Sequence, residues 1–228
     1  MKTFLDICRD ARREAGLSGS GPVSVTTATG IEKNIVGYVV RAFIDVQTYR
    51  TDWPWMRKDF EFITSPGKQR YPLAELNLTD VENWDFSGAS IYKTADGKAG
   101  ESPLGSATFD TWWNFHRIGL QTPAQPEAIF FDPATNDLML FPVPDAEYTI
   151  PLRYYRAAQV LVANGDIPRM PTNEAWNDII MWRALWYYGY YDGAPDVLEE
   201  AERKWDEMIH ALDNKYGQSI TISARPIA

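Results

Sequence analysis

The sequence predicts an α+β protein in which helices at both ends of the chain enclose a central β region. Three observations indicate this class. Apolar residues repeat every three or four positions from 29 to 53 and again from 172 to 216, which is typical of helices. Between these segments the apolar period changes to two in several short runs, which is typical of strands. Pro and Gly separate those runs, where turns are expected.

The expected domain boundaries follow these changes in period. They are a first helical part over 1–57, an inserted small antiparallel β domain over 58–171, a second helical part over 172–216 and an extended C-terminal tail over 217–228. We expect the two helical parts to pack together as one discontinuous bundle.

The first helical part contains two predicted helices. Thr3 is expected to cap a helix over 3–15, whose apolar residues fall on one face. Thr29 and Glu32 have the spacing of a capping box at the start of a second, longer helix.

Two tryptophans flank Pro54, where the helical pattern ends. Pro54 disfavours a helical conformation at Trp53 and is expected to end the second helix near that residue. Trp53 closes the apolar stripe of the helix, and Trp55 opens the connection to the first strand. We interpret the pair as a seam between the helical part and the β insertion, or as part of a subunit interface.

The β insertion is predicted from short alternating runs. They cover 59–64, 69–73, 89–95, 127–132, 137–142 and 147–158. The first two are expected to pair as a hairpin around Pro66 and Gly67. Pro151 indicates that the last strand is an edge strand or carries a bulge. A short helix is expected between Ser106 and Gly119.

The second helical part begins with an unusually apolar helix. Thr172 or Asn173 is expected to cap it, and it runs to about Tyr191. Trp182 and Trp186 lie on one side of it, opposite further apolar residues. A helix without a polar face is buried on all sides, so we expect another subunit to contribute to its burial.

The last helix and the tail complete the chain. The helix is predicted from Pro195 to Gly217, and the residues after it are β-branched and nearly uncharged. Such a segment cannot pack on itself, so it is expected either to be disordered or to lie as an extended strand on a partner protein. The tail residues that we expect to make the partner contact are Ile220, Ile222, Arg225 and Ile227.

Composition excludes several classes of function. The formal net charge of -9 argues against a surface that grips nucleic acid, which needs clustered Lys and Arg. His116 and His210 lie on separate predicted helices without a nucleophile and carboxylate beside them, and Cys8, the single cysteine, falls on an apolar helix face. We therefore expect no catalytic, cofactor or metal site, no signal peptide and no membrane span.

The order of these parts resembles the head-to-tail adaptor (connector) proteins of tailed bacteriophages, in particular those with short tails. The resemblance covers most of the chain and is sharpest at Trp53-Pro54-Trp55, at Gly67–Leu73 and in the helix over 174–191. It implies a structural virion protein at the head-tail interface, made in the host cytoplasm. It also implies a ring of subunits, usually twelve, bound under the portal protein. Such a ring extends the DNA channel, presents a docking surface to the tail nozzle or tail-tube protein, and lets DNA pass without specific binding. The resemblance further implies that the partner of the tail residues Ile220, Ile222, Arg225 and Ile227 is the portal protein.

Other interpretations remain open at this point. An aromatic-rich β domain suits a carbohydrate- or protein-binding module, for which Trp112 and Trp113 are the candidate residues. Adjacent helical residues point about 100° apart, however, so these two cannot form one flat stacking surface. A hydrolase with scattered carboxylates and a different phage ring, such as a head-completion or tail-terminator protein, are further alternatives.

Overall fold

The computed structural model describes residues 1–119 and 121–217, and these form two compact units. The helical unit consists of Met1–Met56 together with the described residues from Ala158 onward. The strand unit consists of Arg57–Ala157. The protein is therefore α+β, with helices towards both ends of the chain and a central region of antiparallel sheets, as the sequence predicts.

The helices are α1 (Phe4–Glu14), α2 (Gly30–Thr48), α3 (Phe109–Thr111), α4 (Asn177–Tyr191) and α5 (Pro195–Tyr216). The strands are β1 (Arg57–Ile63), β2 (Arg70–Pro72), β3 (Val81–Asp85), β4 (Ser90–Lys93), β5 (Ser102–Pro103), β6 (Gly105–Ser106), β7 (Ala128–Asp132), β8 (Asp137–Phe141) and β9 (Tyr148–Arg156). Short 3-10 turns precede β1 and α4, and a π-helical turn over Trp112–His116 continues α3.

The helical unit is organised around α4, which packs against α1, α2 and α5. Its first helix begins at the predicted cap, because the Asp6 amide donates to the Thr3 hydroxyl and the Thr3 amide donates to the Asp6 carboxylate. The contact between α4 and α5 is very close at Gly189. A Cβ atom there would lie 2.8 Å from the backbone of Leu198, so only glycine fits without a shift.

Helix α2 differs from the prediction at both ends. It ends at Thr48 rather than near Trp53, because Arg50 forms ion pairs with Asp52 and with α5 instead of continuing the helix. The predicted capping box at its start was wrong. Thr29 is the cap residue but makes no side-chain hydrogen bond, and Glu32 pairs with Arg12 of α1 at 2.5 Å instead.

A buried glutamine on α2 holds the segment that follows the strand unit. The Gln47 side chain accepts a hydrogen bond from the backbone amide of Gln159 at 2.8 Å and donates to its carbonyl at 3.0 Å. The Gln159 side chain in turn bonds the backbone of Ile167 and Arg169. Residues 158–171 therefore belong with the helices, although the sequence suggested that they continue the β insertion.

The strand unit contains two sheets. In the first, the order is β1-β9-β4-β5, with β3 also paired to β9. In the second, the order is β2-β8-β7-β6, and only the short β6–β7 pair among these named strands is parallel. Apolar side chains of both sheets form one core, which includes Phe62, Ile91, Ile129, Leu140 and Ile150.

The second sheet is covered on both faces. Ile129 and Leu140 face the core between the sheets, whereas their strand neighbours Phe130 and Met139 pack against Trp112 of the π-helical turn. This alternation follows from the period of two in a strand. The π-helical turn after α3 therefore covers the outer face of this sheet through Trp112.

Two predictions about strand pairing were wrong. The run over 69–73 does not return along β1, because β1 pairs with β9 along its whole length and β2 pairs with β8 in the other sheet. Pro151 is not on an edge strand either. It lies between the segment of β9 that pairs with β4 and the segment that pairs with β3. Neither of these strands pairs with Pro151, so its missing N–H breaks no hydrogen bond to them.

Candidate interaction surfaces

Trp53 and Trp55 form a stacked pair in the helical unit, directly after α2. Their ring centroids lie 4.4 Å apart, with the planes inclined by 19°. Trp53 is buried, and its indole N–H donates to the backbone carbonyl of Val46 at 2.9 Å. That carbonyl lies in the last turn of α2, where carbonyl oxygens lack a partner within the helix. Trp53 therefore caps α2, whereas Trp55 is only half-buried and contacts Tyr216 edge-to-face.

An ion cluster lies beside this pair. The Arg50 guanidinium contacts Asp52 at 2.7 Å and Asp213 of α5 at 2.6 Å, and it also lies over the Trp53 ring. The hydrogen bond from Arg50 holds the pKa of the Asp52 carboxyl below its ordinary value. The cluster joins the end of α2 to the last turn of α5.

The predicted interface residues Trp182 and Trp186 both lie on α4 and are half-buried. Between them, Arg183 pairs with Asp45 of α2 at 2.6 Å and lies over the ring of Trp186 at 4.5 Å. It also lies 5.0 Å from the centre of the Trp205 ring on α5. Arg183 thus contacts both helices that flank α4, a role that the sequence did not indicate.

An exposed aromatic surface extends from this point to the end of α4. We call it the tyrosine patch; its members are Tyr38, Trp186, Tyr187, Tyr190 and Tyr191. Tyr38 of α2 stacks with Tyr187 and Tyr191 at about 6 Å, and Trp186 stacks with Tyr190 at 5.6 Å. Tyr190 and Tyr191 are 61% and 58% exposed, so α4 is not buried on all sides within one chain. Aromatic side chains of this kind are enriched at protein interfaces.

The sequence did contain a signal for this patch. Tyrosine is amphipathic, and the apolar run of α4 changes from Ile and Met to Tyr in its last turns. A change of that kind indicates a surface that is solvent-exposed in the free chain and apolar enough to be buried by a partner.

The strand unit carries a second exposed apolar surface, which we call the apolar tip; it consists of Trp113, Phe115 and Ile118. Phe115 and Ile118 are 74% and 72% exposed, and the Arg117 guanidinium lies over the Trp113 ring at 4.1 Å. Trp112 packs inward instead, as expected because adjacent helical residues point about 100° apart. Its ring plane is inclined by 58° to that of Trp113. The two rings therefore do not offer a sugar one flat stacking surface.

The groups with potential chemistry are held apart. His116 packs against Phe130 and Phe141, whereas the exposed His210 contacts only the backbone of its own helix among the hydrogen bonds described. Burial raises the pKa of the Cys8 thiol to about 12, which keeps it protonated and unreactive. Within 1–119 and 121–217, no group of three His, Cys, Asp or Glu side chains is placed to hold a metal ion.

Two further predictions concern the C-terminal tail and membrane-spanning segments. Ile220, Ile222, Arg225 and Ile227 lie outside the described residues. Among the helices that are described, none has the length and apolar character needed to cross a membrane.

Comparison with known protein families identifies the chain. A family model described as SU10 adaptor protein matches residues 2–225, which is nearly the whole sequence. The chain belongs to the SU10 adaptor protein family. No curated protein sequence matches it. Membership in this adaptor family indicates a structural adaptor of a bacteriophage virion. This agrees with the resemblance that the order of helices and strands indicated.

Proposed function

We propose that this SU10-family adaptor forms a ring on the portal vertex rather than in free solution, in a phage of the short-tailed type. The ring joins the portal protein to the tail nozzle or tail-tube protein and extends the DNA channel. The observation that carries the proposal is the family match over residues 2–225. Two separate exposed aromatic surfaces, one in each unit, support it, because an adaptor needs more than one interface.

Each part of the chain has a role in this proposal. The discontinuous helical part forms the ring, with the tyrosine patch and the exposed surface of Trp186 at or near the contact between neighbours. The apolar tip of the inserted strand unit contacts the tail protein. The tail over 217–228 contacts the portal through Ile220, Ile222, Arg225 and Ile227.

The charge of the chain supports the same role. With a net charge of -9, a ring of subunits carries many carboxylates, and DNA passes such a surface without binding to it. The same charge keeps free subunits apart in solution, so that assembly begins on the portal rather than before it.

The experiment uses heads filled with DNA from a phage that carries a nonsense mutation in the gene for this chain. We expect these heads to remain without tails, and purified chain to restore tail attachment and infectivity. The proposal fails if heads that lack the chain acquire tails and infect normally.

Two matched pairs of variants separate the two docking roles. Ile220→Asp/Ile222→Asp is expected to abolish portal binding, whereas Ser219→Asp/Ser223→Asp adds the same charge to the tail and retains binding. Phe115→Ser/Ile118→Ser is expected to bind the portal but not the tail protein. Val160→Ser/Val162→Ser removes exposed apolar side chains from the helical unit and serves as its control. Normal portal and tail binding by both test variants would refute the assigned roles.

A further inference from the structure

The two helices that flank α4 present outward surfaces of opposite charge. Helices α2 and α5 each pack on α4 and make little contact with each other. The buried residues of α2 include Ile35, Val39 and Val46, and those of α5 include Ala201 and Trp205. The helix face opposite each buried stripe points away from α4, so one chain offers two separate helical surfaces to its surroundings.

The outward face of α2 is basic and has little bulk at its centre. Lys33, Gly37 and Arg41 follow one another at four-residue spacing, and both charged side chains are exposed. Apart from the neighbouring backbone of α2 itself, no described atom lies within 4 Å of the position that a Cβ atom would occupy at Gly37. The carboxylates of this helix are engaged elsewhere, because Glu32 pairs with Arg12 and Asp45 pairs with Arg183. We call this surface the basic stripe.

The outward face of α5 is mainly acidic. Asp196, Glu199, Glu200 and Glu207 are exposed on it. Two basic residues lie beside Glu207, Arg203 at 3.6 Å and Lys204 at 3.9 Å, so the carboxylates outnumber the cations on this face. A shallow depression on this face is lined by Asp196, Glu199, Glu200 and Arg203. We call this surface the acidic stripe.

The charges on the two stripes have the same spacing. Lys33 and Arg41 are eight residues apart, as are Glu199 and Glu207. At 1.5 Å per residue, each pair spans about 12 Å along its helix. Two helices that lie side by side therefore bring both opposite-charge pairs together at once, and Gly37 allows the two backbones to approach closely.

We infer that the basic stripe of one chain docks on the acidic stripe of the next copy of the same chain. This is a heterologous contact, in which each copy uses two different surfaces, and such contacts generate closed rings when the rotation closes. The occupant of each stripe is thus a second copy of this chain. The inference rests on the proposed function, because it identifies the contact that forms the proposed ring.

The test measures ring assembly on purified portal rings of the same phage by mass photometry. Lys33→Glu/Arg41→Glu makes both stripes acidic, and Glu199→Lys/Glu207→Lys makes both basic. Each variant alone is expected to need at least about a tenfold higher concentration to assemble, because like charges then face each other. Glu82→Lys/Glu127→Lys makes the same change in charge as Glu199→Lys/Glu207→Lys, but at exposed sites of the strand unit, and is expected to assemble like the wild type.

Rescue distinguishes a direct contact from damage to the fold. A chain with all four stripe substitutions has complementary charges at every contact and is expected to assemble like the wild type. A mixture of the two double variants, differently tagged, is expected to form rings of equal composition. The inference is overturned if a double variant assembles normally, or if folded four-substitution chain fails to assemble. If the wild type forms no ring on the portal, the proposed function itself fails, which separates the two results.

Discussion

Replacing Trp53 by alanine is the sharpest test of how the helical unit is held together. The side chain is 0% exposed, stacks on Trp55 at 4.4 Å and donates its indole N–H to the Val46 carbonyl at 2.9 Å. Truncating a buried tryptophan to alanine costs about 3–5 kcal/mol. Loss of the hydrogen bond that caps α2 adds about 1 kcal/mol. We therefore expect Trp53→Ala to lower the free energy of unfolding by about 4–6 kcal/mol.

The assay is urea unfolding followed by far-UV circular dichroism, which reports on the helices. Trp53→Phe keeps an aromatic ring but loses the N–H, so we expect a smaller loss of about 1–3 kcal/mol. Trp113→Ala removes the same side chain from a site that is 47% exposed and is expected to cost less than about 1 kcal/mol. The reasoning is refuted if Trp53→Ala unfolds within about 1 kcal/mol of the wild type.

Three further predictions concern the helical unit. Gln47→Leu leaves the backbone N–H and carbonyl of Gln159 without their partner, so we expect the free energy of unfolding in urea to fall by about 2–4 kcal/mol. A decrease below about 1 kcal/mol would contradict the role of Gln47 in holding this segment. Gly189→Ala meets backbone at 2.8 Å and is expected to lower the thermal midpoint, whereas Gly37→Ala meets nothing within 4 Å and is expected to raise it; equal shifts would be inconsistent with the packing described. Thr3→Ala removes a helix cap and is expected to cost about 1 kcal/mol at neutral pH. Hydrogen bonds from Thr3 hold the pKa of Asp6 below its ordinary value, so their contribution is present above that ordinary pKa and is lost as the pH falls through the lowered one. A stability difference between Thr3→Ala and wild type that stays constant across acidic pH would argue against this coupling.

The sequence predicted the parts of the fold that depend on local patterns. The cap at Thr3, the strand pair of β7 and β8, and the last helix from Pro195 are all determined within a few residues. Each of these follows from side-chain spacing and turn chemistry, which are written directly in the sequence.

The parts that were wrong depend on partners distant in the sequence. Alternation in β1 gives the face that is buried but not the neighbouring strand, and the neighbour is β9, some ninety residues later. The end of α2 depends on an ion pair from Arg50 to α5, and the position of 158–171 depends on Gln47. The exposure at the end of α4 was missed because the helix was interpreted from its overall apolar character, without weight on the change from Ile and Met to Tyr in its last turns.

The most direct test of the central claim is native mass spectrometry of the complex between wild-type chain and purified portal rings. The account predicts one species in which a fixed whole number of chains is bound to each portal ring, with no partially filled complexes at saturation. Chains that do not bind the portal, or that bind in variable number without closing a ring, would contradict it.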